Sequence, residues 1–222
     1  MVRSTLRVAC VIPAFNEEST IGSVVRGAKK YCDYIIVVDD GSNDRTRVMA
    51  EHYRVNVVSH VTRLGAGAAI STGIKAALRY DIDVVVTLDA DGQHDPDDIP
   101  SVIAPLLDGA DLVIGSRMAG RSAMPLHKRL GNFVLSKFTS LACGMPVIDS
   151  QSGFRALSRR VAESVSFTST DYSWASEMLI QASRKGFKIA SVPVKTLYFK
   201  RRLRGAGIKD ALKILYNMFK FK

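Results

Sequence analysis

Short apolar runs recur through the first half of the chain, each closed by a turn-rich polar stretch and followed by residues with helical spacing. Leu6 to Ile12 reads as a buried strand. Pro13-Ala14-Phe15-Asn16-Glu17-Glu18 then turns the chain into a helix whose Ile21, Val24, Val25 and Ala28 share one face. Tyr34 to Val38 is predicted as a second strand, ending in Asp39-Asp40-Gly41-Ser42-Asn43-Asp44-Arg45-Thr46 and a helix to about His52. Val55 to Ser59 and Asp83 to Leu88 are further strands, separated by a helix from Gly65 to Tyr80. This alternation predicts an α/β fold with a mostly parallel central sheet and helices on both faces.

The second half is less regular. Pro96 opens a helix over Asp97 to Leu107, and Leu112 to Gly115 is a short strand ending at Ser116-Arg117. A helix from His127 to about Cys143 precedes the polar loop Asp149-Ser150-Gln151-Ser152-Gly153-Phe154-Arg155. Trp174 to Lys185 should be helical and Phe187 to Val192 extended. Residues 208–222 read as a basic amphipathic helix, with Ile208, Leu212, Leu215, Met218 and Phe219 largely on one side and Lys209, Lys213 and Lys220 among the rest. Without an internal repeat or linker, residues 1–222 are expected to form a single domain.

Composition narrows the function classes. The formal net charge of +10 favours an anionic partner, whether nucleic acid, a lipid surface or a phosphorylated small molecule. The positive charge concentrates in Lys200-Arg201-Arg202-Leu203-Arg204 and the lysines after it, with no zinc-finger spacing or aromatic-basic strand motif, so nucleic acid is not expected. Cys10, Cys32 and Cys143 are too few and too scattered for a disulfide framework or a zinc cluster, and a reducing cytosol is the simplest setting. The longest apolar runs fall short of the roughly 20 residues a membrane-spanning helix needs. Any membrane contact is therefore expected to be peripheral, through the last helix or the region from Met118 to Cys143.

Candidate chemistry sits at the strand ends. Asp89-Ala90-Asp91-Gly92-Gln93 follows a buried strand, where ligands of open α/β sheets bind, and two hard carboxylates one residue apart suit Mg²⁺ or Mn²⁺. Extended, the two side chains would point to the same side. Asp39, Asp40 and Gly41 follow a second strand, where a carboxylate can accept hydrogen bonds from a base or sugar and Gly41 lets the backbone approach closely. Asn16 and Glu17 could contact a nucleoside or simply cap a helix. Each stretch alone is equally an acidic turn, but three strand ends of like charge call for a cation or a donor-rich ligand. Arg63-Leu64-Gly65-Ala66-Gly67 lacks the third glycine of a dinucleotide loop, so its small residues are expected to allow close helix-sheet packing, with Arg63 near an anion.

Four segments together resemble a known family. Ile12-Pro13-Ala14-Phe15-Asn16-Glu17, Val38-Asp39-Asp40-Gly41-Ser42, Asp89-Ala90-Asp91-Gly92-Gln93-His94 and Gln151-Ser152-Gly153-Phe154-Arg155 occur in the order of family 2 glycosyltransferases with the GT-A fold. Within them the chain most resembles the dolichyl- or polyprenyl-phosphate hexosyltransferases. That resemblance implies inverting, metal-dependent transfer of a hexose from GDP-mannose or UDP-glucose to a lipid phosphate, by an enzyme lying peripherally at the cytoplasmic, inner face of a membrane. It assigns Pro13, Ala14, Glu17, Asp40 and Asp89 to the nucleoside, with Asn16, Asp39, Gly41, Arg63, Ala90 and Asp91 in the same donor site. It assigns Asp89, Asp91 and Gln93 to the metal, Gln151 to the sugar or metal, and Arg117, Arg202 and Lys209 to the diphosphate or acceptor phosphate. His94 beside this site is read as a hydrogen-bonding partner. The tail Gly205-Ala206-Gly207-Ile208-Lys209 departs from the family's Gly-Glu-Ser-Lys. A glycan hydroxyl acceptor is the alternative and would require a carboxylate base, for which Glu177 and Asp149 are the candidates. A non-catalytic nucleotide-sugar-binding protein is a further alternative, and a membrane-anchored protein partner is left open.

Overall fold

The computed structural model describes residues 6–118, 126–197 and 214. Seven strands form one sheet: β1 (Val8–Ala14), β2 (Tyr34–Asp39), β3 (Asn56–Ser59), β4 (Val84–Thr87), β5 (Leu112–Ser116), β6 (Arg155–Ser158) and β7 (Ile189–Pro193), in the order β3-β2-β1-β4-β6-β5-β7. The helices are α1 (Ile21–Ala28), α2 (Thr46–His52), α3 (Ala66–Ala77), α4 (Ile99–Leu107), α5 (Leu126–Cys143), α6 (Arg159–Ser164) and α7 (Trp174–Arg184). Pro96–Asp98 makes a short 3₁₀ turn before α4, opened by the Asp95 carboxylate accepting from the Asp97 N–H.

Alternate residues of the central strands bury opposite faces, which is why their sequences are apolar without a break. Val11, Ile36, Val38, Val85, Leu112 and Ile114 pack with α3, α6 and α7, whereas Cys10, Ile12, Ile35, Val37, Val86 and Val113 pack with α1 and α4. β1 to β4 pair in parallel, as their spacing through intervening helices requires.

One strand departs from the parallel pattern. β6 runs antiparallel between β4 and β5, with Val86 opposite Ala156 and Val113 opposite the same residue on the other side. The sequence reading ends its polar loop at Arg155, admits a strand after it only as the bland alternative and without bounds, and does not include α6. Four residues of Arg-Ala-Leu-Ser carry too little periodicity to announce a strand.

Among the described residues, no helix is long and apolar enough to cross a membrane. The helix expected over residues 208–222 lies outside the described residues except for Ile214, which is helical and buried.

Candidate active site

Parallel pairing brings the ends of β2, β1 and β4 to one edge. Ala14 is opposite Asp39, the Asp40 N–H donates to the Ala14 carbonyl (2.8 Å), and the Leu88 N–H donates to the Val11 carbonyl (3.0 Å). Pro13, Ala14, Asp39, Asp40, Asp89, Ala90 and Asp91 therefore share this rim.

Asp89 precedes a turn that begins at Ala90 and Asp91, with Gly92 at φ +74°, so the stretch does not continue β4 as the extended segment of the sequence reading. The Asp91 carboxylate accepts from the Gln93 N–H at 2.9 Å. Burial and then the neighbouring Asp89 charge push the Asp91 carboxyl up to about 6. Glu17 adds to the rise, while His94 and the Gln93 amide offset part of it. At Asp89 desolvation also acts upward, but His94, Arg117 and Arg155 outweigh it and hold the carboxyl below the usual carboxylate range.

Asp89 is seated by two neighbours. His94 Nε2 lies 3.5 Å from its carboxylate, and the His94 ring meets Phe154 edge-on at 5.3 Å between centroids. On the other side stands Gly153, where an added Cβ would fall 2.4 and 2.5 Å from the two carboxylate oxygens. The Gly153 carbonyl is in turn fixed by the Thr87 hydroxyl at 2.7 Å. Only a glycine leaves Asp89 its place.

Arg117 follows β5 and grips Asp149 from three donors: its backbone N–H (3.0 Å), Nε (2.9 Å) and Nη2 (2.8 Å). Burial alone would raise the Asp149 carboxyl, but Arg117 prevails and keeps it below the usual range. Asp149 is thus an anchor for Arg117, and the expectation that it is a candidate base is corrected. The same holds for Glu177, whose carboxylate accepts from the Thr168 N–H (2.9 Å), the Thr168 hydroxyl (3.2 Å), Gln181 Nε2 (3.2 Å) and the Ser169 N–H (3.0 Å). It is buried and tethers the loop before α7.

Arg155 is fully buried inside β6. Its guanidinium donates to the carbonyls of Ser152 (2.9 Å), Ala175 (2.8 Å) and Ser150 (2.7 Å) and stacks 4.9 Å from the Trp174 ring centroid. Burial lowers its pKa to about 10. This side chain moulds the 150–154 loop onto α7 and so places Gly153 and Gln151. Gln151 Nε2 donates to the hydroxyls of Ser150 (3.0 Å) and Ser176 (2.9 Å). Replacing Arg155 by Met leaves three buried carbonyls without donors, and we expect a loss of about 3 kcal/mol of stability, measurable as a shift in urea unfolding. An unchanged unfolding midpoint would refute that role.

At the other end of the rim Asp40 holds a loop rather than standing open. Its carboxylate accepts from the N–H groups of Leu64 and Gly65, both at 2.8 Å, and pairs with His60 Nδ1 at 2.8 Å. Asp39 caps the following turn by accepting from the Ser42 N–H (3.2 Å), and Asn16 ties the β1 loop to it through the Asn43 N–H (2.9 Å). Gly41, at φ +70°, lies against the backbone of Thr62 and Arg63. Arg63 stacks on Phe15 with its guanidinium 4.3 Å from the ring centroid.

Of the small residues that open α3, Ala69 is buried with Val11 and Val38 of the sheet, as the sequence suggested, but the two glycines are not so used. Gly65 and Gly67 instead approach the Thr170 and Ser169 carbonyls, and the Gly67 N–H donates to Thr170 at 2.9 Å. Between Arg63–Ala66 and Thr170–Tyr172 lies a cleft of about 310 Å³. Arg202 and Lys209 lie outside the described residues.

A model described as Glycosyl transferase family 2 matches residues 9–166, which include the β1, β2 and β4 rims and the 149–155 loop. The chain belongs to glycosyl transferase family 2. This family 2 enzyme is 38% identical to the UDP-N-acetylglucosamine--dolichyl-phosphate N-acetylglucosaminyltransferase of Methanococcus voltae, over 96% of this chain and 94% of that protein. It is 30% identical to the polyprenol monophosphomannose synthase of Mycolicibacterium smegmatis, over 99% of this chain and 87% of that protein. Among solved structures it resembles glucosyl-3-phosphoglycerate synthase of Mycobacterium tuberculosis in complex with Mn²⁺, UDP-glucose and phosphoglyceric acid. The TM-score is 0.76 at 26% identity, covering 98% of this chain and 80% of that one. The fold of this family 2 enzyme is accordingly GT-A.

Nothing in the sequence singles out His60, and Gly153 and Arg155 stand there only as members of the Gln151 to Arg155 segment, without a sign of the parts they play here.

Proposed function

We propose that the enzyme transfers a sugar from a nucleotide sugar to the phosphate of dolichyl or polyprenyl phosphate, with inversion at the anomeric carbon. The observation that carries this reading is the Asp89–Asp91 pair, two like charges crowded on one rim, with the Arg117 charge acting on Asp89. Such a donor set fits a hard divalent cation, Mg²⁺ or Mn²⁺, which Asp89, Asp91 and Gln93 would hold. When bound, the ion would offset the charge that develops on the departing diphosphate.

The protein's own part is to position and to stabilise. The rim from Pro13 to Glu17, Asp39, Gly41, Arg63 and Ala90 receives the nucleoside, Asp40 shaping it by holding the Leu64–Gly65 backbone, and Gln151, oriented by Ser150 and Ser176, faces the sugar. Arg117, fixed by Asp149, presents positive charge to the phosphates, with Arg202 and Lys209 assigned to the same task. The acceptor phosphate is ionised near neutral pH. Its oxygen attacks the anomeric carbon as the bond to the nucleoside diphosphate breaks, and no proton need be removed.

The engagement of Asp149 and Glu177 supports a phosphate acceptor over a glycan hydroxyl, since neither is placed to take a proton. The names of the relatives support the same acceptor class. The direct test is a panel of nucleotide sugars, including UDP-N-acetylglucosamine, UDP-glucose and GDP-mannose, with Mg²⁺ or Mn²⁺ and a short polyprenyl phosphate. Product is expected with the lipid phosphate, whereas turnover only with a sugar hydroxyl would reverse the assignment.

A pH dependence follows from Asp91. Its carboxyl titrates at about 6 in the metal-free protein, so below that pH a proton competes for the site. Metal-supported donor binding should weaken as pH falls through 6 and should release protons there. Calorimetry in two buffers of different ionisation enthalpy measures both, and a pH-independent affinity between 5 and 7 would count against Asp91 as a ligand.

A further inference from the structure

After β7 the chain runs back alongside the turn that carries Asp91, and three backbone amides pin it there. The Val194 N–H donates to the Ser116 carbonyl (3.1 Å), the Lys195 N–H to the Asp98 carboxylate (2.6 Å) and the Leu197 N–H to the Gln93 carbonyl (2.8 Å). Within this strap Thr196 stands directly opposite His94 in an antiparallel bridge. Side chains of such a pair project to the same side, with Cβ atoms about 4.5–5.5 Å apart.

The same two side chains carry the two polar atoms that, among the described residues, are buried without a hydrogen-bond partner: His94 Nδ1 and Thr196 Oγ1. Such atoms call for an explanation, and here each is the complement of the other, because a hydroxyl both donates and accepts. The rest of the imidazole is enclosed, its side chain 2% exposed and its ring edge-on to Phe154. Its second nitrogen, Nε2, lies 3.5 Å from the Asp89 carboxylate, long for a hydrogen bond. What Nε2 presents to Asp89 depends on what meets Nδ1.

We propose that Thr196 positions Asp89 through His94: rotation of the two side chains joins the Thr196 hydroxyl to His94 Nδ1 and fixes the ring with its Nε2–H towards the Asp89 carboxylate. Thr196 is a positioning residue and touches neither donor nor acceptor. Ligating carboxylates are aimed by outer hydrogen bonds of this kind, whose loss typically costs about ten- to a hundredfold in metal affinity or activity. The inference rests on the assignment of Asp89 to the metal made above and deepens it. Thr196 stands shortly before Arg202 in the chain, so the segment that leads to this phosphate-directed arginine also sets the carboxylate.

The test compares Thr196→Val, which keeps the shape and removes the hydroxyl, with Thr196→Ser, which keeps the hydroxyl. In the metal-free full chain, long-range proton–nitrogen NMR spectra show which ring nitrogen bears hydrogen, and His94→Gln identifies the His94 signals among the four histidines. Wild type and Thr196→Ser should show Nε2 protonated, whereas Thr196→Val should give a mixture of forms. Affinity for Mn²⁺ alone, read from the paramagnetic resonance of the free ion, should fall about tenfold or more in Thr196→Val and stay near wild type in Thr196→Ser. A wild-type ring with Nε2 bare overturns the proposal. So does equal affinity of Thr196→Val and a wild type that binds the ion. A hydroxyl without a partner is better replaced by a methyl group, so a Thr196→Val protein that melts higher than wild type with an unchanged imidazole spectrum overturns it as well. If the spectra depend on the hydroxyl as expected yet the wild type takes up no Mn²⁺, the relay stands and the metal assignment falls.

Discussion

Asp91→Ala should lower sugar transfer by about a thousandfold or more and weaken metal-dependent donor binding along with it. The carboxylate sits in a turn beside Asp89, held by the Gln93 amide, and its charge is unfavourable there until a cation relieves it. Removing it relieves the repulsion without any metal, so the variant should fold at least as well as the wild type while losing turnover. Asp91→Asn keeps the shape and discards the charge, and should be nearly as inactive. Initial rates with radiolabelled donor and calorimetric titration of donor plus Mn²⁺ measure the two effects. Turnover close to wild type in either variant would dismiss the metal assignment.

Gly153→Ala tests the same site from across the sheet. A methyl group there would meet both Asp89 carboxylate oxygens at under 2.6 Å, so Asp89 must move. Displacing a ligand by a fraction of an ångström to an ångström typically costs about a hundredfold in rate, and that is the expected loss in kcat. Stability should change much less than activity, because the residue yielding is a rim carboxylate and not the apolar core. Thermal melting and donor-saturated rates on one preparation separate the two. A fully active Gly153→Ala enzyme would show that the placement of Asp89 is not what the reaction depends on.

How far the site could be read from the chain divides along a physical line. The strands β1, β2 and β4 are local signals, since an unbroken apolar run closed by Asp, Asn or Gly reports both its burial on two faces and its end. Their parallel pairing then puts the acidic turns on one edge without further information. What remained hidden is what distant side chains do to one another. Asp149 and Glu177 look in sequence like any free carboxylate, yet one is clasped by Arg117 from 32 residues away and the other is bonded by backbone amides of Thr168 and Ser169. Asp40 reads as a ligand-facing group because nothing nearby in the chain shows that Leu64 and Gly65 will turn their amides to it. The strand β6 was hidden for another reason, its four residues being shorter than the pattern needed to detect them.

The reversed strand also orders events during synthesis. Until Arg155 to Ser158 have left the ribosome, β4 presents an unpaired outer edge, and β5, made some 40 residues earlier, has no neighbour at all. The sheet is therefore stitched in its middle last but one, with β6 bridging two halves that β7 then closes at the far side. A nascent chain of this enzyme carries a sticky seam from the completion of β4 until β6 emerges, and the exposure of that seam to misassembly ends with a four-residue segment that looks ordinary when written out.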